Sequence, residues 1–169
     1  MLFRSPRLAR QNRFVRMALG GWQQNGILIV EAGIPLTIVS GADNNFDGVT
    51  GDYADYLGGE WRLSGGRSKN EKIARWFNTS VFRTNAVGTF GSARRSQLRS
   101  PGQWNLDYSL FKSFDVVERL RVQLRGEFFN VFNHANLGAP ATTVNSPNFG
   151  TISGASSPRI VQLALKLVF

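Results

Sequence analysis

The last eleven residues, Arg159–Phe169 (RIVQLALKLVF), limit what this chain can fold into more than any other segment. Val161, Leu163, Leu165, Leu167 and Phe169 are apolar and lie two apart. Between them fall Ile160, Gln162, Ala164, Lys166 and Val168, a smaller and more polar set. Successive Cβ atoms of an extended chain point to opposite sides, so a period of two gives a β-strand one apolar and one mixed face. The apolar face must be covered, either by the core of a soluble sandwich or by lipid. An aromatic residue at the strand's end favours lipid, because aromatic side chains gather where a membrane-spanning strand meets the headgroups.

Composition bounds the choice without making it. The 169 residues suffice for one domain with its own core. Eighteen glycines, with many Asn, Ser and Thr residues, suit an all-β chain with generous loops. The absence of cysteine excludes disulfides and thiolate metal sites, and fits an envelope protein. No run of about 20 apolar residues offers a transmembrane helix, but barrel strands alternate and escape that test.

A formal charge of +9 points to a different class of function. Basic proteins bind nucleic acid by replacing phosphate counterions with Lys and Arg, so a basic soluble β protein binding nucleic acid or another polyanion is the alternative reading. Here the arginines are dispersed. Arg4, Arg7, Arg10, Arg13 and Arg16 precede Trp22 with no acid among them, and others lie between Arg62 and Arg75 and between Arg94 and Arg99. No zinc-finger, helix-turn-helix or RNP-type pattern accompanies them, so nucleic acid is not the expected partner.

Four segments read as strands. Gly21–Ala32 alternates imperfectly, with Trp22, Leu28 and Val30 opposing Gln23, Asn25 and Glu31 while Ile27 and Ile29 fall on the polar side. It is expected to continue past a Gly33–Pro35 interruption into Leu36–Val39, proline being tolerated at a bulge or edge. Gln103–Phe114 is cleaner, setting Trp104, Leu106, Tyr108 and Leu110 against Asn105, Asp107 and Ser109. In Arg119–Phe132, Leu120, Val122, Leu124, Gly126 and Phe128 share one face and Arg121, Gln123, Arg125 and Glu127 the other. Three charges on one strand face are costly in a small core but suit a water-filled lumen or a solvated sheet surface. Arg159–Phe169 is the fourth.

Loop lengths sharpen the reading. The second and third strands are joined by a short turn around Asp115–Glu118, whereas roughly 60 residues separate the first two strands and roughly 25 the last two, long by ordinary priors. Outer-membrane barrels have short periplasmic turns and long extracellular loops. With Phe169 at the periplasmic end, the short turn falls inside and both long loops outside. The N-terminus lacks the 7–15-residue apolar stretch of a secretory signal, so a membrane barrel is expected to require more chain upstream.

The segments GEFFNVFNHANLGAP (Gly126–Pro140), NFGTI (Asn148–Ile152) and PRIVQLALKLVF (Pro158–Phe169) resemble the C-terminal end of TonB-dependent receptors, most closely the Oar-like group with a carboxypeptidase-regulatory-like N-terminal domain. GGWQQNGILIVEAGIPLTIVSG (Gly20–Gly41), WFNTSVF (Trp76–Phe82), GTFG (Gly88–Gly91) and LRSPGQWNLDYSLFKSF (Leu98–Phe114) resemble the same family in the same order. The resemblance implies a plugged outer-membrane barrel of about 22 strands that imports ligands with energy passed through TonB. These residues contain no plug and no TonB-contacting segment. Four strands also fall short of the roughly eight that enclose a filled interior. The expectation is therefore a fragment located in the outer membrane: residues 1–12 a basic, irregular stretch, and 13–169 part of a barrel domain. Leu163, Leu165, Leu167 and Phe169 are expected to contact lipid and to carry the signal read by the barrel-assembly machinery, while Arg121, Arg125 and Glu127 line the lumen. The TonB system is a partner only through parts outside these residues, and the ligand is not named by them.

Other constellations carry less. Asp43, Asn45, Asp47 and Gly48 match the start of a calcium loop, D-x-[DN]-x-[DN]-G, but Ala54 stands where a bidentate Glu belongs, with Asp52 or Asp55 as substitutes. Structural calcium is the only cofactor considered; an Asx-rich turn accounts for the same residues. His134 is the sole histidine, and no G-x-S-x-G elbow accompanies it, so no catalysis is expected. Arg94, Arg95 and Arg99, near Ser96 and Ser100, offer an anion site or a solvated loop. Gly65–Lys72 (GGRSKNEK) reads as a flexible polar loop.

Overall fold

A computed structural model describes residues 2–4, 19–117 and 120–169. Its strands are β1 (Leu2–Arg4), β2 (Trp22–Glu31), β3 (Pro35–Leu36), β4 (Asp55–Tyr56), β5 (Phe82–Arg83), β6 (Leu98–Arg99), β7 (Gln103–Val117), β8 (Leu120–Phe129) and β9 (Ile160–Val168). Helix α1 (Lys69–Ala74) and a 3₁₀ turn at Thr79–Val81 complete the elements. The all-β reading holds.

β1, β2, β7, β8 and β9 form one sheet in that order. All four strands foreseen in the sequence are in it. β8 pairs antiparallel with β9 without a break from Arg121↔Val168 to Phe129↔Ile160. β7 pairs antiparallel with β8 from Tyr108↔Phe128 to Asp115↔Arg121, then shifts register before Val117↔Leu120. Such a bulge adds local twist at the turn; residues 118–119 of the expected Asp115–Glu118 turn lie outside the described residues. Within the basic stretch 1–12, Leu2–Arg4 forms a strand against Gln23–Asn25, and the remainder lies outside the described residues.

β2 stops at Glu31 instead of continuing to Val39. Gly33 passes so near the Ser100 carbonyl that a Cβ there would sit 1.8 Å from its oxygen. Pro35–Leu36 then pairs with Leu98–Arg99 in a separate small sheet, with proline at the strand's first residue, where a missing N–H is tolerated.

The described residues fall into two compact units. One comprises those within Met1–Val30, Trp104–Ala135 and Ser157–Phe169, the other Glu31–Gln103 and Asn136–Ser156. The second unit is thus built from both long connections, and backbone hydrogen bonds interlock them: Val39 N–H donates to Thr142 O at 3.1 Å, Val144 N–H to Val39 O at 2.9 Å, Trp76 N–H to Gly150 O at 2.8 Å and Ile152 N–H to Ile73 O at 2.9 Å. Its core joins Ile38, Ala54, Phe77, Val81, Phe82, Ala93 and Leu98. Phe77 is 2% exposed and meets Phe82 and Phe149 edge-on, at 5.9 and 5.3 Å between centroids, a favoured aromatic geometry. Gly91 is required by packing, because a Cβ would lie 1.8 Å from the Tyr53 carbonyl oxygen.

The segment read as a flexible loop, Gly65–Lys72, contains the start of α1 instead. The Ser68 hydroxyl accepts from the Glu71 N–H, and the Glu71 carboxylate accepts from the Ser68 N–H at 2.7 Å, a reciprocal cap. That S-x-x-E signal was present in the sequence and outweighs the neighbouring glycines.

Candidate functional site

The sheet's two faces are the candidate site, and strand register builds them. Cross-strand partners share a face. Leu124 pairs with Lys112 and Leu165, and Val122 with Phe114 and Leu167, while Gly126 pairs with Leu110 and Leu163. These residues make one face, to which Tyr108, Phe128 and Val161 also belong. The opposite face carries Arg121, Gln123, Arg125 and Glu127 beside Asp115, Ser113, Phe111 and Ser109, with Lys166 and Gln162 from β9. Register therefore places Leu163, Leu165 and Leu167 together on one side and Arg121, Arg125 and Glu127 on the other. Phe169 follows β9 and is 91% exposed.

On the polar face two ion pairs form, one across strands and one along β8. Arg121 Nε lies 2.7 Å from Asp115 Oδ1, and Arg125 Nη2 lies 3.0 Å from Glu127 Oε1. The Arg125 guanidinium also sits 4.9 Å from the Phe111 ring centroid. On the apolar face Leu163 is 77% and Leu165 61% exposed, so the strand pairing alone leaves them uncovered.

Lys112 breaks the alternation and was missed by the sequence reading, which ended the pattern of β7 at Leu110. Counting on by two would have found it on the apolar face. Its ammonium lies 4.7 Å from the Trp22 ring centroid and 5.2 Å from that of Phe114, and the residue is 3% exposed. Aromatic faces attract a desolvated cation, which is how an apolar surface can carry one.

At the end of β8, Asn130 organises the exit of the chain. Its side-chain oxygen accepts from His134 N–H at 2.9 Å, its amide donates to His134 O at 2.9 Å, and its own N–H donates to Asp107 Oδ1 at 2.9 Å. Asn130 and Asn133 both take positive φ, a conformation asparagine tolerates better than most residues. His134 stacks on Trp104 at 4.5 Å and is a packing residue of this turn.

In the second unit the loop 43–52 brings Asp43, Asp47 and Asp52 together, with one carboxylate oxygen of each within 4.8 Å of the others. Asn45 remains beside them, its side-chain oxygen accepting from Asp47 N–H and its amide donating to Asp47 Oδ2, both at 3.0 Å. Of the two candidate substitutes for the missing Glu, Asp52 joins the group and Asp55 turns to Arg83 at 3.4 Å. Burial pushes the Asp52 carboxyl up, but donation from the Asn85 side chain and from the Asn45 and Asn44 N–H groups outweighs it and holds the group below its ordinary value. Three convergent oxygens suit a hard cation such as calcium, although Asp43 Oδ1 and Oδ2 already accept from Asp47 and Gly48 N–H groups.

Of the arginines proposed as an anion site, Arg99 lines a cleft with Ser96 and Ser100, and Arg94 and Arg95 do not. The cations that join Arg99 there, Arg62, Arg67 and Lys72, are distant in sequence and were not grouped with it.

A family model described as an outer membrane beta barrel domain matches residues 2–162. No curated protein and no solved structure matches the chain.

Proposed function

The chain belongs to the outer membrane β-barrel domain family, and on that premise we propose that its five-stranded sheet is a stretch of the wall of a TonB-dependent ligand-uptake receptor. Location in the outer membrane follows from the family and agrees with the sequence expectation. The observation that carries the uptake-wall reading is the pair of faces on β7, β8 and β9: uncovered leucines on one side, ion-paired charges on the other. In this reading Leu163, Leu165, Leu167 and Phe169 face lipid and present the signal to the barrel-assembly machinery, and Arg121, Arg125 and Glu127 face the lumen. β1 and β9 are the open edges of the sheet among the described residues, and lipid does not tolerate open edges, so further strands pair with them. The motifs resembling TonB-dependent receptors support uptake over a passive pore. Membership in this family also favours the membrane reading over a soluble nucleic-acid binder, and no catalytic step is assigned.

The chain has no cysteine, which makes a labelling test clean. Leu165→Cys and Gln123→Cys are each labelled with an environment-sensitive fluorophore in outer-membrane preparations. A lipid-borne quencher is expected to reach the first and an aqueous quencher the second; aqueous quenching of both sinks the wall. Loss of ligand accumulation when TonB is deleted tests the energy source. Convergence of Asp43, Asp47 and Asp52 favours one addition, a calcium clamp on the outer loops, expected to raise protease resistance of the 43–52 loop on adding calcium and to lose it in Asp47→Asn.

A further inference from the structure

A cleft of about 540 Å3 in the second unit lies between Trp61–Gly65, the Arg67–Phe77 segment that contains α1, and Ser96–Ser100. Its lining includes four cations, Arg62, Arg67, Lys72 and Arg99, and no carboxylate. The cations differ in what they already do. Arg67 is spent on backbone carbonyls, donating to Ser64, Glu71, Arg75 and Trp76, and so clasps the loop to the helix. Arg99 gives one N–H to Gly33 O at 2.9 Å. The Arg62 guanidinium lies 4.1 Å from the Trp61 ring centroid, and its N–H groups make no side-chain hydrogen bond or ion pair among the described residues. Lys72 makes no ion pair among the described residues.

Two acids lie in or beside these segments in sequence, and both have local partners. Glu71 is engaged by the Ser68 N–H and hydroxyl, both at 2.7 Å, and Glu60 accepts from the Arg62 backbone N–H at 2.8 Å. Glu71 offsets part of the Arg67 charge, while Arg62, Lys72 and Arg99 make no ion pair among the described residues. The half-buried indoles of Trp61 and Trp76 add flat apolar walls, and the Trp76 ring is held by donation of its Nε1–H to Arg99 O at 2.7 Å. A concave site of this size, with a few converging polar groups on an aromatic lining, suits a small molecule.

We propose that this cleft binds a small sugar carrying two or more oxyanions, a phosphorylated or carboxylated mono- or disaccharide. Guanidinium edges match phosphate and carboxylate oxygens, the lysine adds a mobile point charge, and the indoles pack against the apolar face of a ring. The inference gives the uptake reading a ligand class and rests on it for the purpose of binding. The same phosphosugar chemistry occurs free or as the headgroup of an outer-leaflet lipid, and the test separates the two sources.

The full chain in neutral detergent micelles is titrated calorimetrically with glucose 1,6-bisphosphate, with glucose as the uncharged control. Saturable binding of the bisphosphate alone is expected, weakening about tenfold from about 50 to 500 mM salt as screening rises. Arg62→Glu and Lys72→Glu are each expected to lower affinity by about tenfold or more, and Lys72→Gln, which spares the helix, to lower it severalfold. Arg94→Glu and Arg95→Glu, nearby but outside the cleft, should leave it unchanged. Absence of saturable binding, or equal losses in all four charge reversals, overturns the cleft. Competition by lipid A in the micelles supports the cleft with a membrane headgroup as the source, and lack of competition supports it with a free sugar. The quencher result on Leu165→Cys is independent of this titration, so the wall and the cleft fail separately.

Discussion

The five-stranded sheet and the loop unit solve opposite problems. The loop unit places Ile38, Phe77, Val81, Phe82 and Leu98 out of water and holds its chain with aromatic contacts and interlocked backbone bonds, as a soluble domain does. The sheet satisfies its backbone by long, nearly unbroken ladders, yet leaves Leu163, Leu165 and Leu167 uncovered on one face. A sheet of comparable length in water would bury that face, since apolar burial is the main favourable term in folding. The contrast teaches that the two units treat their apolar surface differently: the loop unit carries its own core, and the sheet leaves one face uncovered, which in the proposed barrel wall takes its apolar environment from lipid.

Substitutions can break this contrast at either end. The largest effect is expected from Phe77→Ala, which removes the centre of the loop core and costs about 3–5 kcal/mol. Limited proteolysis should then cut within 31–103 while membrane insertion of the sheet persists. Leu165→Arg is the complementary lesion, expected to cost about 2–4 kcal/mol in lipid and to reduce insertion without opening the loop unit to protease. If Leu165→Arg inserts normally and Phe77→Ala does not, the division of labour drawn above is reversed.

Smaller effects sharpen it. Ser68→Ala removes the reciprocal cap of α1 and should lower loop-unit stability by about 1 kcal/mol, read as a shift in its denaturation midpoint. Glu127→Gln unpairs Arg125 on a half-exposed face and should change stability by at most about 1 kcal/mol, because water shares that surface. Asp52 supplies a pH signature confined to the loop unit. Its folded pKa lies below the unfolded one, so its contribution is complete above the unfolded value near 4 and is lost as pH falls through the folded value. No change is expected between pH 6 and 8, and Asp52→Asn should flatten the acid limb of the stability curve.

Much of the sheet was legible before the structure because alternation is a local property. The parity of Leu163, Leu165 and Leu167, and of Arg121, Arg125 and Glu127, follows from a period of two whichever strands they pair with. The acidic loop was half legible. Asp43, Asn45 and Asp47 lie within a few residues, but the choice of Asp52 over Asp55 depends on Arg83, which β5 brings against β4. The end of β2 was misjudged because the obstacle at Gly33 is Ser100, distant in sequence.

Sequence alone determined the strand faces and the order of long and short connections, each set by backbone geometry acting over a few residues; it ran the third strand through Asn130 to Phe132, whereas β8 ends at Phe129 and Asn130 turns the chain. Tertiary structure decided that the two long connections form one cored unit and that Arg62, Lys72 and Arg99 share a cleft. Those outcomes rest on contacts between segments whose meeting is favoured only once apolar burial at Phe77, Phe82 and Leu98 offsets the entropy of closing long loops.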